Sequence, residues 1–283
     1  MNNQLSQSNR ILPVVSISAA LLSLCMATSL CLGADNSNAA SKPSGSSESA
    51  RQTPEKGSTA EVNPAPEKFT PDPSLPDVLL LGDSISMGYT PFVRELMKGK
   101  ANVFRPAKPD GTAANCSDTA YGLAQLDHWL AVRPKWSVIH FNWGLHDLKH
   151  MVKGAATPTV SKDPNDPPLH TLDEYRANME QIIARLKKTG ARLILATTTP
   201  VPEGANNPFR SPIDPPRYNA VAIEVAVRNA VAVNDLFAFI HPRLAELQNH
   251  KGVHFNEAGS RALAEQVAKV VLAELPAKAA SKQ

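Results

Sequence analysis

The stretch DVLLLGDSISM, residues 77–87, joins a short aliphatic run to a polar turn. An aliphatic run of this length that ends at turn-forming residues is typical of a strand buried in a parallel sheet. Gly82, Asp83 and Ser84 follow directly, and open α/β sheets bind ligands beside the carboxyl ends of their strands. The stretch therefore predicts a parallel α/β sheet with a candidate site at its edge.

The sequence after this stretch alternates between apolar runs and longer helical patterns. Further strands are predicted at residues 101–104, 136–141, 192–198 and 230–234. Helices are predicted at residues 91–98, 117–130, 172–188, 217–229, 242–248 and 257–275. Because parallel strands need long crossovers, which helices supply, this order predicts a three-layer α/β/α domain of about five strands over residues 76–276.

Charge and composition narrow the class of protein. The chain has 283 residues, of which 42% are hydrophobic, and this suits a globular domain with a sizeable core. Its 29 basic and 26 acidic residues leave a net charge of only +3, without a basic block or aromatic-basic interleaving. We therefore expect no nucleic-acid partner.

The first residues of the sequence predict export. Arg10 precedes an uncharged run rich in Leu, Ala and Ser at residues 11–32, and the small residues Gly33 and Ala34 follow it. This arrangement resembles a secretory signal peptide, so we predict a signal over residues 1–34 and a secreted or periplasmic domain. An uncleaved membrane anchor, with the domain outside the cytoplasm, is the alternative because the apolar run is long.

Residues 35–75 differ in composition from everything that follows them. They are rich in Ser, Pro, Lys and Glu and contain almost no large apolar residues. Such a segment cannot bury enough surface to offset the entropy of ordering it, so we predict a disordered linker. Residues 277–283 are predicted to be a short tail.

Ser84 and His254 are the residues best suited to chemistry. A serine at a strand-to-helix turn can present its hydroxyl beside backbone N–H groups that bind an oxyanion. Serine needs a base to become a nucleophile, and histidine is the usual one because it titrates near neutrality. His254, in KGVHFNEAG at residues 251–259, lies just before a helix that Asn256 can cap. We predict that the two residues act together.

Three segments resemble the SGNH or GDSL hydrolases over about residues 77–275. GDSIS is similar to the first block of that family, GLHD at residues 144–147 to the third, and KGVHFNEAG to the fifth. The resemblance implies a flavodoxin-like sheet and a serine ester hydrolase that acts on acyl esters, often acetyl groups on carbohydrates. It implies Ser84 as the nucleophile, His254 as the base, Asp83 as an anchor of the turn, and no cofactor.

The second block of the family usually carries a glycine whose N–H faces the oxyanion. The resemblance points to Ser117 for this role, together with the N–H of Ser84, because a residue heading a helix directs its N–H outward. Gly111 is the alternative position. Asn115 could contribute a side-chain donor.

The third block usually reads Gly-x-Asn-Asp, and here His146 replaces the asparagine that donates to the oxyanion. An imidazole can also donate an N–H, so we expect His146 to keep the role, with Asn142 as the other candidate donor. The resemblance implies supporting roles for Gly144 and Asp147. Packing of His146 beside Asp147, without contact to the substrate, is the competing interpretation.

The fifth block usually reads Asp-x-x-His, but Lys251 occupies the position of the acid. We expect a Ser-His dyad whose histidine is oriented by a backbone carbonyl near Lys251. Asp235, at the end of the fifth predicted strand, is the second candidate for an acid supplied from elsewhere.

Other chemistry has weaker support in the sequence. His146 and His150 have the spacing of metal ligands on a helix, but no further ligands cluster with them, so we expect no metal. Cys116 is expected to be a packing residue. A catalytically inactive binding module and an acyltransferase are the alternative functions, and loops at residues 151–170 and 200–216 are expected to form the substrate rim.

Overall fold

The computed structural model describes residues 69–249 and 252–276. The predicted signal, most of the predicted linker, Lys251 and the predicted tail lie outside the described residues. Within the described ranges, no helix has the length and apolar character that crossing a membrane would require.

A five-stranded sheet forms the centre of the domain, in the order β2-β1-β3-β4-β5 with all neighbours parallel. The strands are β1 Asp77–Leu81, β2 Asn102–Phe104, β3 Val138–Phe141, β4 Arg192–Ala196 and β5 Ala232–Asn234. This order is that of flavodoxin-like folds, in which the switch point between β1 and β3 is where ligands bind. The predicted fold class is confirmed.

Seven α-helices connect and cover the strands among the described residues. They are α1 Ser84–Leu96, α2 Thr119–Leu130, α3 Leu172–Lys187, α4 Asp214–Arg228, α5 Leu236–Ile240, α6 Leu244–Leu247 and α7 Glu257–Glu274. Helix α1 packs against α7, and α3 packs against both α2 and α4. The two groups form the outer layers on either side of the buried sheet.

Several helix starts differ from the sequence-based expectation. Helix α4 begins at Asp214 rather than at residue 217, α6 begins at Leu244 rather than at residue 242, and α5 was not predicted. Helix α1 begins at Ser84 rather than at residue 91, because Asp83 caps it and Pro91 lies inside the helix instead of opening it. Helix α2 begins at Thr119 rather than at residue 117, because Ser117 has a φ of +50° and Asp118 is the N-cap. The nucleophile candidate is therefore a helical residue.

The chain joins the domain earlier than the predicted linker boundary at residue 75. The ring of Phe69 packs 4.8 Å from that of Phe104. Asn102 accepts a hydrogen bond from the N–H of Asp72 and donates one to its carbonyl, both at 2.9 Å. Composition alone misses this attachment because it depends on one aromatic ring and one amide side chain.

Candidate active site

The candidate nucleophile and base meet at the carboxyl edge of the sheet. Ser84 opens α1 directly after β1, and His254 lies in the loop before α7. Nε2 of His254 is 2.8 Å from Oγ of Ser84. With its proton on Nδ1, the imidazole accepts the serine hydroxyl proton at this distance, which is the contact that general-base catalysis needs.

The turn that carries Ser84 is fixed by short-range contacts. Oδ1 of Asp83 accepts the N–H of Ile85 at 2.9 Å, and the carbonyl of Asp83 accepts the hydroxyl of Ser86 at 2.7 Å. A Cβ on Gly82 would lie 2.9 Å from Ser86 Cβ, so the turn needs glycine there. These contacts leave the Ser84 side chain directed away from the turn and toward His254.

Gln248 and Asn256 hold the loop that carries His254. The amide of Gln248 donates to the carbonyls of Pro200 at 2.9 Å and Val253 at 3.1 Å. Asn256 accepts the N–H of Gly259 at 2.8 Å as the cap of α7, and its amide donates to the carbonyl of Glu246. The histidine backbone is therefore anchored on both sides.

No acid contacts the ring of His254 among residues 69–249 and 252–276. Asp235 is engaged elsewhere, because it accepts Thr197 Oγ1 at 2.9 Å and caps α5 by accepting the N–H of Ala238 at 3.0 Å. The carbonyl near Lys251 that we expected to orient the ring falls outside the described residues.

Arg105 is a buried cation that the sequence reading missed. Its guanidinium donates to the carbonyls of Gly82 at 3.3 Å and Ala114 at 2.8 Å, and to the hydroxyl of Ser86 at 3.2 Å. The side chain therefore joins the nucleophile turn to the segment that precedes α2. Arg105 follows β2 directly, but the sequence gives no sign of which groups accept its hydrogen bonds.

The second block was predicted to supply a backbone N–H for the oxyanion, from Ser117 or Gly111. Both N–H groups already donate hydrogen bonds within the protein. Ser117 donates its N–H to Asn115 Oδ1 at 2.8 Å, and Gly111 donates its N–H to the carbonyl of Lys108 at 2.9 Å within a tight turn. The φ of Ser117 is +50° and that of Gly111 is +83°, both in the region that glycine adopts most easily. To bind an oxyanion, Ser117 would have to share its N–H with Asn115.

His146 is partly buried, and its ring is close enough to interact with that of His254. Burial lowers the pKa of His146 well below its usual value, and the charges of Lys149, Arg210 and His254 lower it further. The ring is therefore neutral at physiological pH and carries one N–H. Its Nδ1 is buried without a hydrogen-bond partner among the described residues. Asn142, the alternative donor, gives its amide to the carbonyl of Ala196 at 2.9 Å.

Gly144 is required by its backbone and by its surroundings. Its φ is +144°, and a Cβ there would lie 2.3 Å from Thr198 Oγ1. The carbonyl of the preceding residue, Trp143, accepts the hydroxyls of Thr198 at 3.0 Å and Tyr175 at 2.9 Å. The segment that carries His146 is thus fixed against β4 and α3.

Asp147 anchors the start of α2. It is fully buried and accepts the N–H and the hydroxyl of Thr119 at 3.0 and 2.5 Å. Burial raises the pKa of Asp147 to about 7, although both hydrogen bonds from Thr119 oppose that rise. This side chain supports the site by joining the third block to the helix that follows the second.

Asp118 and His170 form an aspartate–histidine pair close to Asp147. Nε2 of His170 is 3.2 Å from Oδ1 of Asp118, the cap of α2. This contact raises the pKa of His170. Burial alone would raise the pKa of Asp118, but hydrogen bonds from His170, Tyr121 and Ser117 together lower it. The pair ties the end of the loop at residues 151–170 to the start of α2.

Cys116 and His140 are fully buried. Burial raises the pKa of Cys116 to about 12, and its carbonyl accepts the indole N–H of Trp143. Burial also lowers the pKa of His140 to about 3. Among the described residues, no three His, Cys, Asp or Glu side chains converge as metal ligands, and His146 and His150 do not form such a group.

Comparison with known proteins gives a family and a set of similar folds. The GDSL-like lipase/acylhydrolase family model matches residues 80–262. Among curated proteins, none matches the sequence at a significant level.

Solved structures of similar fold include three esterases or lipases. A lipase/acylhydrolase from Enterococcus faecalis has 19% identity and a TM-score of 0.56, over 71% of this chain and 97% of that one. The acetyl xylan esterase AlAXEase has 17% identity and a TM-score of 0.53, over 69% and 99%. The acetylxylan esterase Axe2 from Geobacillus stearothermophilus has 17% identity and a TM-score of 0.52, over 69% and 93%.

Proposed function

The chain belongs to the GDSL-like lipase/acylhydrolase family, and we propose that it is a serine ester hydrolase that cleaves short acyl esters, with acetylated carbohydrate as the substrate class to test first. The observation that carries the proposal is the 2.8 Å contact between Nε2 of His254 and Oγ of Ser84. An inactive binding module would have no need to keep this contact. The acetyl xylan esterases of similar fold support the choice of substrate class.

The reaction begins when Ser84 attacks the ester carbonyl and its hydroxyl proton passes to Nε2 of His254. The new bond between Oγ and the carbonyl carbon leaves a tetrahedral oxyanion. Collapse of this intermediate breaks the bond to the alcohol, which leaves with the proton from His254. Water then attacks the acyl-enzyme with His254 as the base, releases the carboxylic acid and restores Ser84.

The oxyanion is bound by the N–H of Ser84 and by the ring of His146. The neutral imidazole offers one N–H, as the asparagine of the family offers its amide. Backbone N–H groups at the start of α1 favour negative charge there, because they have no partners within the helix. Ser117 is a further donor if substrate displaces Asn115 from its N–H.

The pair works as a Ser-His dyad in this proposal. Dyads retain part of the catalysis of a triad, because the oxyanion site and substrate binding still contribute. We also propose that the domain acts outside the cytoplasm, on the basis of the apolar run at residues 11–32. Cell fractionation of the full chain tests that location, and recovery in the cytoplasm would contradict it.

A direct test compares ester hydrolysis by wild type and Ser84→Ala. The substrates are p-nitrophenyl esters of two to eight carbons and an acetylated xylo-oligosaccharide. We expect hydrolysis that favours the acetyl esters and that falls at least about 10⁴-fold in Ser84→Ala. Equal rates in both proteins would reject the proposal, and acyl transfer to an added sugar in excess of hydrolysis would favour a transferase.

A further inference from the structure

Arg210 is a buried cation on the loop between β4 and α4. Its Nε donates to the carbonyl of Leu145 at 2.8 Å, and the residue is only 6% exposed. The two residues are 65 positions apart in the chain. A hydrogen bond from a charged donor is stronger than one between neutral groups. The contact therefore makes a firm link between this loop and the segment that follows β3.

The acceptor of this bond belongs to the peptide that joins Leu145 to His146. A peptide unit is planar, so the carbonyl oxygen of Leu145 and the Cα of His146 lie in one rigid group. Fixing that oxygen fixes the point from which the His146 side chain leaves the backbone. No hydrogen bond holds the ring at Nδ1 among the described residues. The placement of the ring thus depends on its backbone.

The backbone around His146 forms a closed turn. The N–H of Leu148 donates to the carbonyl of Gly144 at 2.9 Å, and this bond closes the turn. Before the turn, the carbonyl of Trp143 accepts two buried hydroxyls. Arg210 supplies a contact inside the turn, on the peptide next to the ring.

Arg210 is itself held in place, because backbone hydrogen bonds join its loop to the other loop expected to form the substrate rim. The carbonyl of Phe209 accepts the N–H of His150 at 2.9 Å, and the N–H of Phe209 donates to the carbonyl of Ser161 at 2.7 Å. The rings of Phe209 and His150 lie 4.7 Å apart. The N–H of Arg210 donates to the carbonyl of Ala205 at 3.2 Å. A guanidinium anchored in this way can hold another segment in place.

We propose that Arg210 is a positioning residue for the oxyanion site, and that it holds the ring of His146 in place through its bond to the Leu145 carbonyl. This inference rests on the proposed function, because it assigns the support of the proposed oxyanion donor. Arg210 acts through His146 and does not touch the ester. The loop after β4 and the turn after β3 therefore work as one unit.

Arg210→Met and Arg210→Gln separate the Nε bond from the rest of the side chain. Both variants lose the charge and the terminal nitrogens. Glutamine keeps an N–H donor at the same number of bonds from Cα as Nε, where methionine has a methyl group. We expect Arg210→Met to lower kcat by about 10–10²-fold with a much smaller change in KM, because misplacing a group by about 1 Å can cost the larger figure.

Arg210→Gln should retain most of the wild-type kcat, because it keeps the donor. If Arg210→Met fails to fold, Arg210→Lys takes its place in the comparison. Lysine keeps the charge but moves the donor one bond further from Cα, so its kcat should be lower than that of Arg210→Gln.

A double-mutant cycle with His146→Ala tests whether Arg210 acts through the histidine. We expect the loss in kcat caused by Arg210→Met to shrink to less than about twofold once His146 is absent, since groups that act as one unit are not additive. Arg94→Met is the matched control. Arg94 lies in the last turn of α1 and also donates from Nε to a carbonyl, that of Val103 at 3.0 Å. Its replacement should leave kcat near that of wild type.

Amide exchange tests the same link without turnover. The N–H of Leu148 reports opening of the turn around His146, and amides of β4 serve as the reference for global unfolding. We expect the Leu148 amide to exchange at least about tenfold faster in Arg210→Met, which is the equilibrium value of one charged hydrogen bond. In Arg94→Met its rate relative to the β4 amides should be unchanged.

Three results would overturn the inference. They are a wild-type kcat in Arg210→Met, equal losses in Arg210→Met and Arg210→Gln, and a loss that persists in full when His146 is absent. Wild-type protein that hydrolyses no ester would instead reject the proposed function. Amide exchange would still decide whether Arg210 holds the turn, and an unchanged rate at Leu148 would show that it does not.

Discussion

Nε2 of His254 lies 2.8 Å from Oγ of Ser84, although the two residues are 170 positions apart in the chain. The contact depends on helices α1 and α7, which pack against each other and bring the segments before their first turns together. Each segment is fixed by its own cap, Asp83 for α1 and Asn256 for α7. The geometry of the pair is therefore built into the two helix starts.

Replacing His146 tests the oxyanion site. We expect His146→Ala to lower kcat by about 10²–10³-fold, the usual cost of one oxyanion donor. His146→Asn should retain more activity, because its amide restores the donor that the family carries. Since the pKa of His146 lies well below its usual value, the loss in His146→Ala should be constant between pH 6 and 9. Steady-state kinetics across that range would check both points; equal kcat in wild type and His146→Ala would contradict them.

Gly144→Ala tests the fixed segment that follows β3. The new Cβ would lie 2.3 Å from Thr198 Oγ1, on a backbone with φ of +144°. We expect unfolding to become easier by about 3 kcal/mol or more. Gly154→Ala is the control, because its φ is +71° and no atom lies within 4 Å of the new Cβ.

Backbone strain alone should cost Gly154→Ala about 1 kcal/mol. Urea denaturation of both variants measures the difference between them. A similar loss of stability in both would mean that contact with Thr198 has no part in the requirement for glycine at position 144.

Arg105→Met tests the cross-link between the nucleophile turn and the segment before α2. The change removes charged hydrogen bonds to buried carbonyls of Gly82 and Ala114, so we expect a loss of about 2–4 kcal/mol and of most activity. Arg105→Lys keeps the charge, but one ammonium cannot replace both terminal nitrogens of the guanidinium. Nη2 donates to the two carbonyls, and Nη1 donates to the hydroxyls of Ser86 and Thr90. Thermal unfolding and ester hydrolysis measure the two effects, and a stable, fully active Arg105→Met would argue against the cross-link.

The pH dependence of stability tests the pair formed by His170 and Asp118. The pKa of His170 is raised in the folded state, so its contribution is complete below its unfolded pKa and is lost as pH rises through the folded one. Asp147, with a pKa of about 7, acts in the same direction, because the folded state binds its proton more tightly than the unfolded state does.

His140 and His146 act in the opposite direction, because burial lowers their pKa values, so the contribution of His170 is measured as the difference in free energy of unfolding between wild type and His170→Gln. We expect this difference to be fully present below pH 6.5 and to decrease as the pH rises further. Denaturant titrations of both proteins at fixed pH values would measure it. A difference that grows as the pH rises would contradict the sign of the argument.

The sequence predicts the strands and the candidate catalytic residues better than it predicts the side chains that hold them in place. The run before Gly82 marks β1 because a buried parallel strand is apolar on both faces, and the same stretch puts Ser84 at its end. The prediction that a helix begins at Pro91 was wrong, because the cap at Asp83 decides where α1 begins. The links made by Arg105 and Gln248 use backbone carbonyls as acceptors, and any sequence supplies those. Only the folded chain shows which carbonyls come within reach.

The central claim is that His254 activates Ser84, and active-site labelling tests it most directly. The full chain and its His254→Ala variant are treated with a fluorophosphonate, and the modified peptide is identified by mass spectrometry. We expect one adduct, on Ser84, that forms rapidly in wild type and at least about 10²-fold more slowly in His254→Ala. Folded wild-type protein that forms no adduct on Ser84, or forms it equally fast without His254, would contradict the claim.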